Sequence, residues 1–316
     1  MRAYLTAPHT LDKLILGDTT APQPHHNEAL VRVSATSLNR GEVRMALEMN
    51  FFPPNYTPGW DIAGTVEEPA ADGSGPQRGQ RVVGFVNRGG WAEQVAAPTA
   101  TLATIPDDLS FIQAATLPVA GLTALHAVYK GGPLLDRKVL VTGASGGVGD
   151  FAIQLARLAG ARVTAHIRRE EQRAFIEKTG ADHIAIGPDL YEAAHQYAPF
   201  DLAIESVGGK TLGDALAMMA ERGTCVLFGT SGGDQVTFNA QKFYNTGGVT
   251  LYGMVMGDEF KWVEAGSVGL ARLAGLVGRG ALQPQISVEE SWTELPRIAH
   301  DLLERKFLGK AVLHVA

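Results

Sequence analysis

At 316 residues the chain is long enough for about two domains with cores of their own. Its 27 Lys and Arg against 33 Asp and Glu leave a net charge of -6 with the signs interspersed, so composition offers no polybasic face to nucleic acid or an anionic membrane. No apolar run approaches the roughly 18 residues a membrane helix needs, the N-terminus carries no signal-type apolar core, and the single cysteine, Cys225, excludes internal disulfides and thiolate zinc clusters; cytoplasmic residence is the expectation.

The first hundred residues read as short strands with frequent breakers: Leu30 to Ala35, Asp61 to Val66, Arg81 to Val86, and Trp91 to Ala96 after a Gly89-Gly90 turn. Between Ser110 and Gly132 the period becomes helical, with Phe111 to Leu117, an interruption at Pro118, then Leu122 to Tyr129. From Val139 strands and helices alternate: strand Arg162 to Ile167, helix Glu170 to Lys178, strands His183 to Ile186 and Asp201 to Ser206, helix Thr211 to Arg222 stopped by Gly223, and strands Thr224 to Phe228 and Val249 to Met254. Such alternation predicts a doubly wound parallel sheet. A helix from Glu259 to about Val277, strand Ile286 to Val288, helix Glu294 to Arg305 and strand Ala311 to Val315 are too few for a third core and are expected to rejoin the N-terminal domain. The predicted domains are 1–118 with 258–316, and 119–257. No internal repeat is visible.

The chain is organised around Val139 to Gly149, Val-Leu-Val-Thr-Gly-Ala-Ser-Gly-Gly-Val-Gly. Three apolar residues fit a buried strand, glycines open a turn, and an apolar helical pattern from Val148 runs to Gly160. A diphosphate needs glycine there because a Cβ would collide with it, while N–H groups at the helix start and the helix dipole favour an anion. The strict G-x-G-x-x-G is absent, since Ala144 stands at the first glycine. The strand before, the helix after and a second strand closing a βαβ unit of about 30 residues supply the context. Candidate cofactor contacts in the turn are Gly143, Ser145, Gly146, Gly147, Val148 and Gly149.

Ser37-Leu38-Asn39-Arg40-Gly41-Glu42, Pro58-Gly59-Trp60-Asp61-Ile62-Ala63-Gly64, Gly79-Gln80-Arg81-Val82, Gly121-Leu122-Thr123-Ala124, the glycine turn, Glu205-Ser206-Val207-Gly208-Gly209 and Gly309-Lys310-Ala311-Val312 follow one another in a specific order. In that order the chain resembles the medium-chain dehydrogenase/reductase superfamily, in its zinc-free quinone oxidoreductase branch that includes zeta-crystallin. The resemblance implies a GroES-like β-rich catalytic domain, an inserted Rossmann domain, and a cofactor in the cleft between them. Zinc-dependent relatives have a cysteine near Asn39 or Arg40 and a histidine after Gly59, where this chain has Trp60, and they carry a cysteine-rich lobe that is missing here. No metal is expected, and His25-His26 reads as a solvated pair in a loop.

The end of the second strand, where an acidic residue would accept from a ribose hydroxyl, reads His166-Ile167-Arg168-Arg169. Arginines there suit a 2′-phosphate, and Arg at a helix start opposes the dipole, so NADPH is the expected cofactor; the alternative is that Arg168 and Arg169 merely begin an exposed helix. By resemblance Asn39 lies near the nicotinamide carboxamide or the substrate oxygen, Thr123 near the cofactor's central portion, Ser206, Val207, Gly208, Phe228, Gly229 and Thr230 at strand ends where open sheets place ligands, and Met254 and Lys310 near the nicotinamide. The alternative for Asn39 is a turn or strand-end residue bonding its own backbone, and for Met254 a residue packed as core. Glu42 is a catalytic candidate that could instead hold a loop, and the proton donor stays unassigned. Phe51, Tyr56 and Trp60, with Phe52, give the expected substrate region flat apolar surfaces and are equally explicable as core or dimer packing.

The expected activity is hydride transfer from NADPH to a quinone or other conjugated carbonyl, a small-molecule acceptor. The alternatives are a 2-enoyl thioester or alkenal reductase, and a dinucleotide-binding protein with little turnover. The family pairs the last sheet edge, here Val249 to Met254, with its twin, so a homodimer is expected.

Overall fold

The computed structural model describes residues 1–49 and 51–315. In chain order the strands are β1 (Arg2–Thr6), β2 (Leu14–Asp18), β3 (Glu28–Ser37), β4 (Asp61–Glu68), β5 (Arg81–Phe85), β6 (Gln94–Pro98), β7 (Leu102–Thr104), β8 (Lys138–Val141), β9 (Arg162–Ile167), β10 (His183–Ile186), β11 (Phe200–Glu205), β12 (Met219–Leu227), β13 (Thr250–Gly253), β14 (Ile286–Ser291) and β15 (Lys310–His314). The chain divides into two compact units, 1–122 with 264–316, and 123–263.

In the first unit β14-β15-β3-β4-β5-β7 form one sheet, with β6 also paired to β3. β3 alternates buried and half-exposed residues along most of its length, the period-2 pattern of a strand with one face on a core. That core gathers Val31, Val33, Ile62, Val82, Trp91, Trp292 and Leu313, so the C-terminal segment closes the same β-rich body that the N-terminal strands begin. A further hairpin, β1 with β2, was not anticipated from the sequence. The chain stays helical through Pro118: Phe111–Ala115 leads into a wide π-type turn, Leu117–Gly121, and then into Leu122–Tyr129. Proline is tolerated because it stands at the start of that turn, where its missing N–H has no partner to lose.

The second unit is a six-stranded sheet in the order β10-β9-β8-β11-β12-β13, with every pair parallel. Strands β8 to β10 step one way and β11 to β13 the other, so the order reverses between β8 and β11. In open sheets this is where ligands bind, at the strands' carboxyl ends. The GroES-like and Rossmann-type architecture expected from the sequence is thus the one observed.

Two expected helices need correction. The helix predicted to reach Arg222 runs only over Gly209–Ala217, and β12 starts at Met219, which pairs with Phe200. Met218 and Met219 are buried in the core beside Phe200, and that burial overrides their helical propensity. The long helix from Glu259 is two helices, Met256–Trp262 and Gly266–Gly278; buried Glu259 is tied to Lys130 and Tyr252, which fixes the first independently of the second. Two short helices, Leu190–Ala194 and Ala240–Thr246, had no sequence expectation. No helix among the described residues is long and apolar enough to cross a membrane.

Candidate functional site

Within the second unit the turn after β8 is built for close approach to main chain. Gly143 has φ +56, in the left-handed region. A Cβ on Gly149 would lie 2.6 Å from the Ala144 Cα and from the carbonyl oxygens of Gly143 and Ala144, so only glycine lets the helix Gly147–Leu158 pack down on the turn. That helix starts at Gly146, which has no side chain to cap it. The first-turn N–H groups are therefore served by no capping side chain, the arrangement that takes an anion.

Two further turns meet this one across the reversal point. The Thr142 N–H donates to the Ile204 carbonyl, and the Ser206 N–H donates to the Thr142 hydroxyl. The turn Ser206–Gly208 is laced to the one after β12: Ser231 N–H donates to the Ser206 carbonyl, Gly232 N–H to the Val207 carbonyl, and Gly208 bridges Gly233. Beneath lies Glu205, fully buried, accepting from the Thr142 hydroxyl (3.0 Å), the Val207 N–H (2.7 Å) and the Gly208 N–H (3.0 Å). Burial pushes its carboxyl above the ordinary range, and the donors of Gly208, Val207 and Thr142 pull the other way.

Arg168 and Arg169, at the end of β9, are both exposed. Their backbone N–H groups donate to Gln172 Oε1, each at 3.1 Å, and Gln172 Nε2 donates to Ser145 Oγ at 2.6 Å. Buried His166 is held neutral, its pKa lowered by burial; Nε2 lies 3.0 Å from the Gly187 carbonyl and so carries the proton. Thr123, at the start of the unit, and Met254, just after β13, are 5% and 6% exposed. Phe228, Gly229 and Thr230 continue from β12 beside the Ser206 turn.

The first unit holds a different arrangement. β3 ends at Ser37 and the helix Arg40–Leu47 starts behind Asn39, whose N–H donates to Glu42 Oε1 at 2.9 Å, as in a capping box. The Asn39 amide is fully used: Nδ2 donates to Glu42 Oε1 (3.0 Å) and Asp61 Oδ2 (2.7 Å), and Oδ1 accepts from Lys310 Nζ (2.8 Å). Lys310, 2% exposed, also donates to the Leu38 carbonyl (3.1 Å) and lies 3.4 Å from Asp61 Oδ2. Asp61 further accepts from the Ser37 hydroxyl (2.5 Å) and the Val119 N–H (2.9 Å). Glu42 is wholly buried, with Oε2 lacking a hydrogen-bond partner, and burial, with Asp61 nearby, raises its pKa to about 8. Asn39, Glu42 and Lys310 are thus brought together, inside the unit, and Asp61, the centre of the cluster, was missed as a site residue.

The aromatic residues separate. Phe52 stacks on Tyr56 at 4.4 Å and both pack on the core, while Phe51, edge-on to Phe52, is 62% exposed. Trp60, half-buried, lies against Gly41, where a Cβ would come 3.3 Å from its ring. Among the described residues no three His, Cys, Asp or Glu side chains gather as metal ligands.

Residues 25–107 match the alcohol dehydrogenase GroES-like domain, and residues 147–267 match the zinc-binding dehydrogenase family. A probable zinc-binding oxidoreductase of mitochondria from Arthroderma benhamiae is 31% identical over 66% of this chain and 67% of its own length. A quinone oxidoreductase from Pongo abelii is 29% identical, covering 68% of each. A mycobacterial protein solved with NADPH superposes with a TM-score of 0.89 at 27% identity, covering 100% of both chains. The chain belongs to the medium-chain dehydrogenase/reductase superfamily, as an oxidoreductase of its quinone oxidoreductase-like branch.

Proposed function

We propose that the protein binds NADPH on its second unit and transfers hydride to a quinone or another conjugated carbonyl without zinc. The observation that carries the cofactor reading is the exposed helix start at Gly146, which no side chain caps, next to a turn with two exposed arginines. A diphosphate fits that surface, and a 2′-phosphate suits the guanidinium groups. The mycobacterial relative bound to NADPH supports the same reading.

When bound, the nicotinamide supplies the hydride. The chain's own task is orientation and charge. Glu205 holds the Val207 and Gly208 N–H groups, which fixes the turn beside the glycine loop. Lys310 and Asp61 hold Asn39 at the start of its helix, so Asn39, Glu42 and Lys310 act as positioning residues for the segment that carries them. Zinc independence rests on Trp60 in place of the ligand histidine and on Cys225, which is buried in β12 with its thiol pushed up by that burial. A conjugated acceptor spreads developing charge over its own ring and needs a metal less.

Strand β13 ends the sheet, pairing only with β12 among the described residues, and leaves Leu251 and Val255 42% and 66% exposed. We infer a homodimer through this edge; a monomer mass by light scattering at micromolar concentration rejects it.

Following NADPH absorbance against quinones, enals and enones, with NADH as control, tests the activity. Turnover with quinones supports the reading, turnover confined to enoyl thioesters replaces it, and binding without turnover reduces the protein to a dinucleotide binder. Stoichiometric zinc by elemental analysis overturns the metal-free part.

A further inference from the structure

A single side chain, that of Gln172, joins Ser145 of the glycine turn to the dibasic turn that begins 23 positions further on, at Arg168. Its amide is polarised in one sense. Oε1 accepts the N–H groups of both Arg168 and Arg169 at 3.1 Å, and Nε2 donates to Ser145 Oγ at 2.6 Å. The backbone of the arginine pair is therefore pinned to the loop that faces the diphosphate, while the two guanidinium-bearing side chains stay at the surface. The two N–H groups are taken by Gln172, so an anion at this turn is met by side chains and not by the main chain.

We propose that Gln172 is the positioning residue for coenzyme selection: it holds the Arg168-Arg169 turn in register with Ser145 so that the arginines meet a ribose 2′-phosphate. The inference rests on the NADPH reading above and adds to it the residue that makes the arginine pair selective. An arginine carries large rotamer freedom, and fixing its backbone beforehand removes part of the ordering cost at binding. A carboxylate at position 172 would still accept the two N–H groups, but it could not donate to Ser145 and would set a negative charge beside the 2′-phosphate. Gln172 is half-buried on a short 3-10 turn, Glu170–Gln172, at the surface, so its replacement leaves the core intact.

The test compares wild type, Gln172→Ala and Gln172→Glu by the KM for NADPH and for NADH with one quinone acceptor, with thermal melting as the control for folding. The expected result is a rise of about tenfold in the NADPH KM for Gln172→Ala, a larger rise for Gln172→Glu, and an NADH KM within about twofold of wild type. Equal rises for both coenzymes would mark a merely structural residue and overturn the proposal, as would an unchanged ratio in a wild type that prefers NADPH. A wild type that prefers NADH overturns the coenzyme reading itself, and the Gln172 role with it.

Discussion

In the nucleotide unit the polar contacts around the glycine turn run mostly to main chain: Glu205 grips two N–H groups, Gln172 two more, and the turns after β11 and β12 bond to each other through backbone. In the β-rich unit the cluster around Asn39 is tied by side chains, with the carboxyl groups of Glu42 and Asp61 and the ammonium of Lys310 buried together. The first kind of construction tolerates changes of side chain wherever there is room but fails when a Cβ is added. The second depends on charge balance and fails when one charge is removed. One unit leaves a helix start without a side-chain cap; the other stores its electrostatics inside.

Removing the cation is the strongest way to break that contrast. Lys310→Met leaves Glu42 and Asp61 buried without their ammonium and should lower stability by about 3–5 kcal/mol in urea unfolding. A loss below about 1 kcal/mol would mean that the cluster is solvated and the contrast false.

The pH dependence of stability sharpens the same side. Glu42 holds its proton up to about pH 8 in the fold, against an ordinary 4.5. Between those values the unfolded chain has released a proton that the folded chain keeps, so stability is full below 4.5 and is lost as pH rises through about 8. Glu42→Gln keeps an oxygen for the Asn39 N–H and removes the titration. Its unfolding free energy should be flatter from pH 5 to 8, by up to about 1.4 kcal/mol per pH unit, and parallel curves would refute the buried neutral acid.

On the other side, Gly149→Ala puts a methyl 2.6 Å from backbone that cannot rotate away. About 1–3 kcal/mol of stability and most NADPH affinity should go, measured by melting and by calorimetry. A variant that binds normally would show that the helix start can shift.

How much of this could be read beforehand differs between the units for a physical reason. Strands Arg162–Ile167 and His183–Ile186 and helix Leu122–Tyr129 match their expected limits, because local apolar period and glycine stops decide them. The glycine turn is legible since its steric demand is written as residue type. The charged cluster is not: Lys310 reaches Asn39 across 271 positions, and Asp61 reads simply as the first residue of a strand. Gln172 and Glu205 escape for a related reason, as an amide and an acid look alike whether they face water or seize a backbone. The only signal for Asp61 was its place behind Gly59-Trp60, inside the family pattern.

The smallest expected effect concerns the exposed arginines. Arg168→Ala should weaken NADPH binding about tenfold and leave NADH nearly unchanged, since the lost interaction is charge-assisted but lies at the surface. Surface placement makes a second demand. The deficit should shrink as salt rises from low ionic strength to about 1 M, where the screening length falls to about 3 Å, whereas the Gly149→Ala defect, being steric, should not respond. Titrations of NADPH into both variants at two salt concentrations separate the two causes. If the Arg168→Ala deficit is independent of salt, the guanidinium acts through packing, and the preference for a 2′-phosphate needs another residue to explain it.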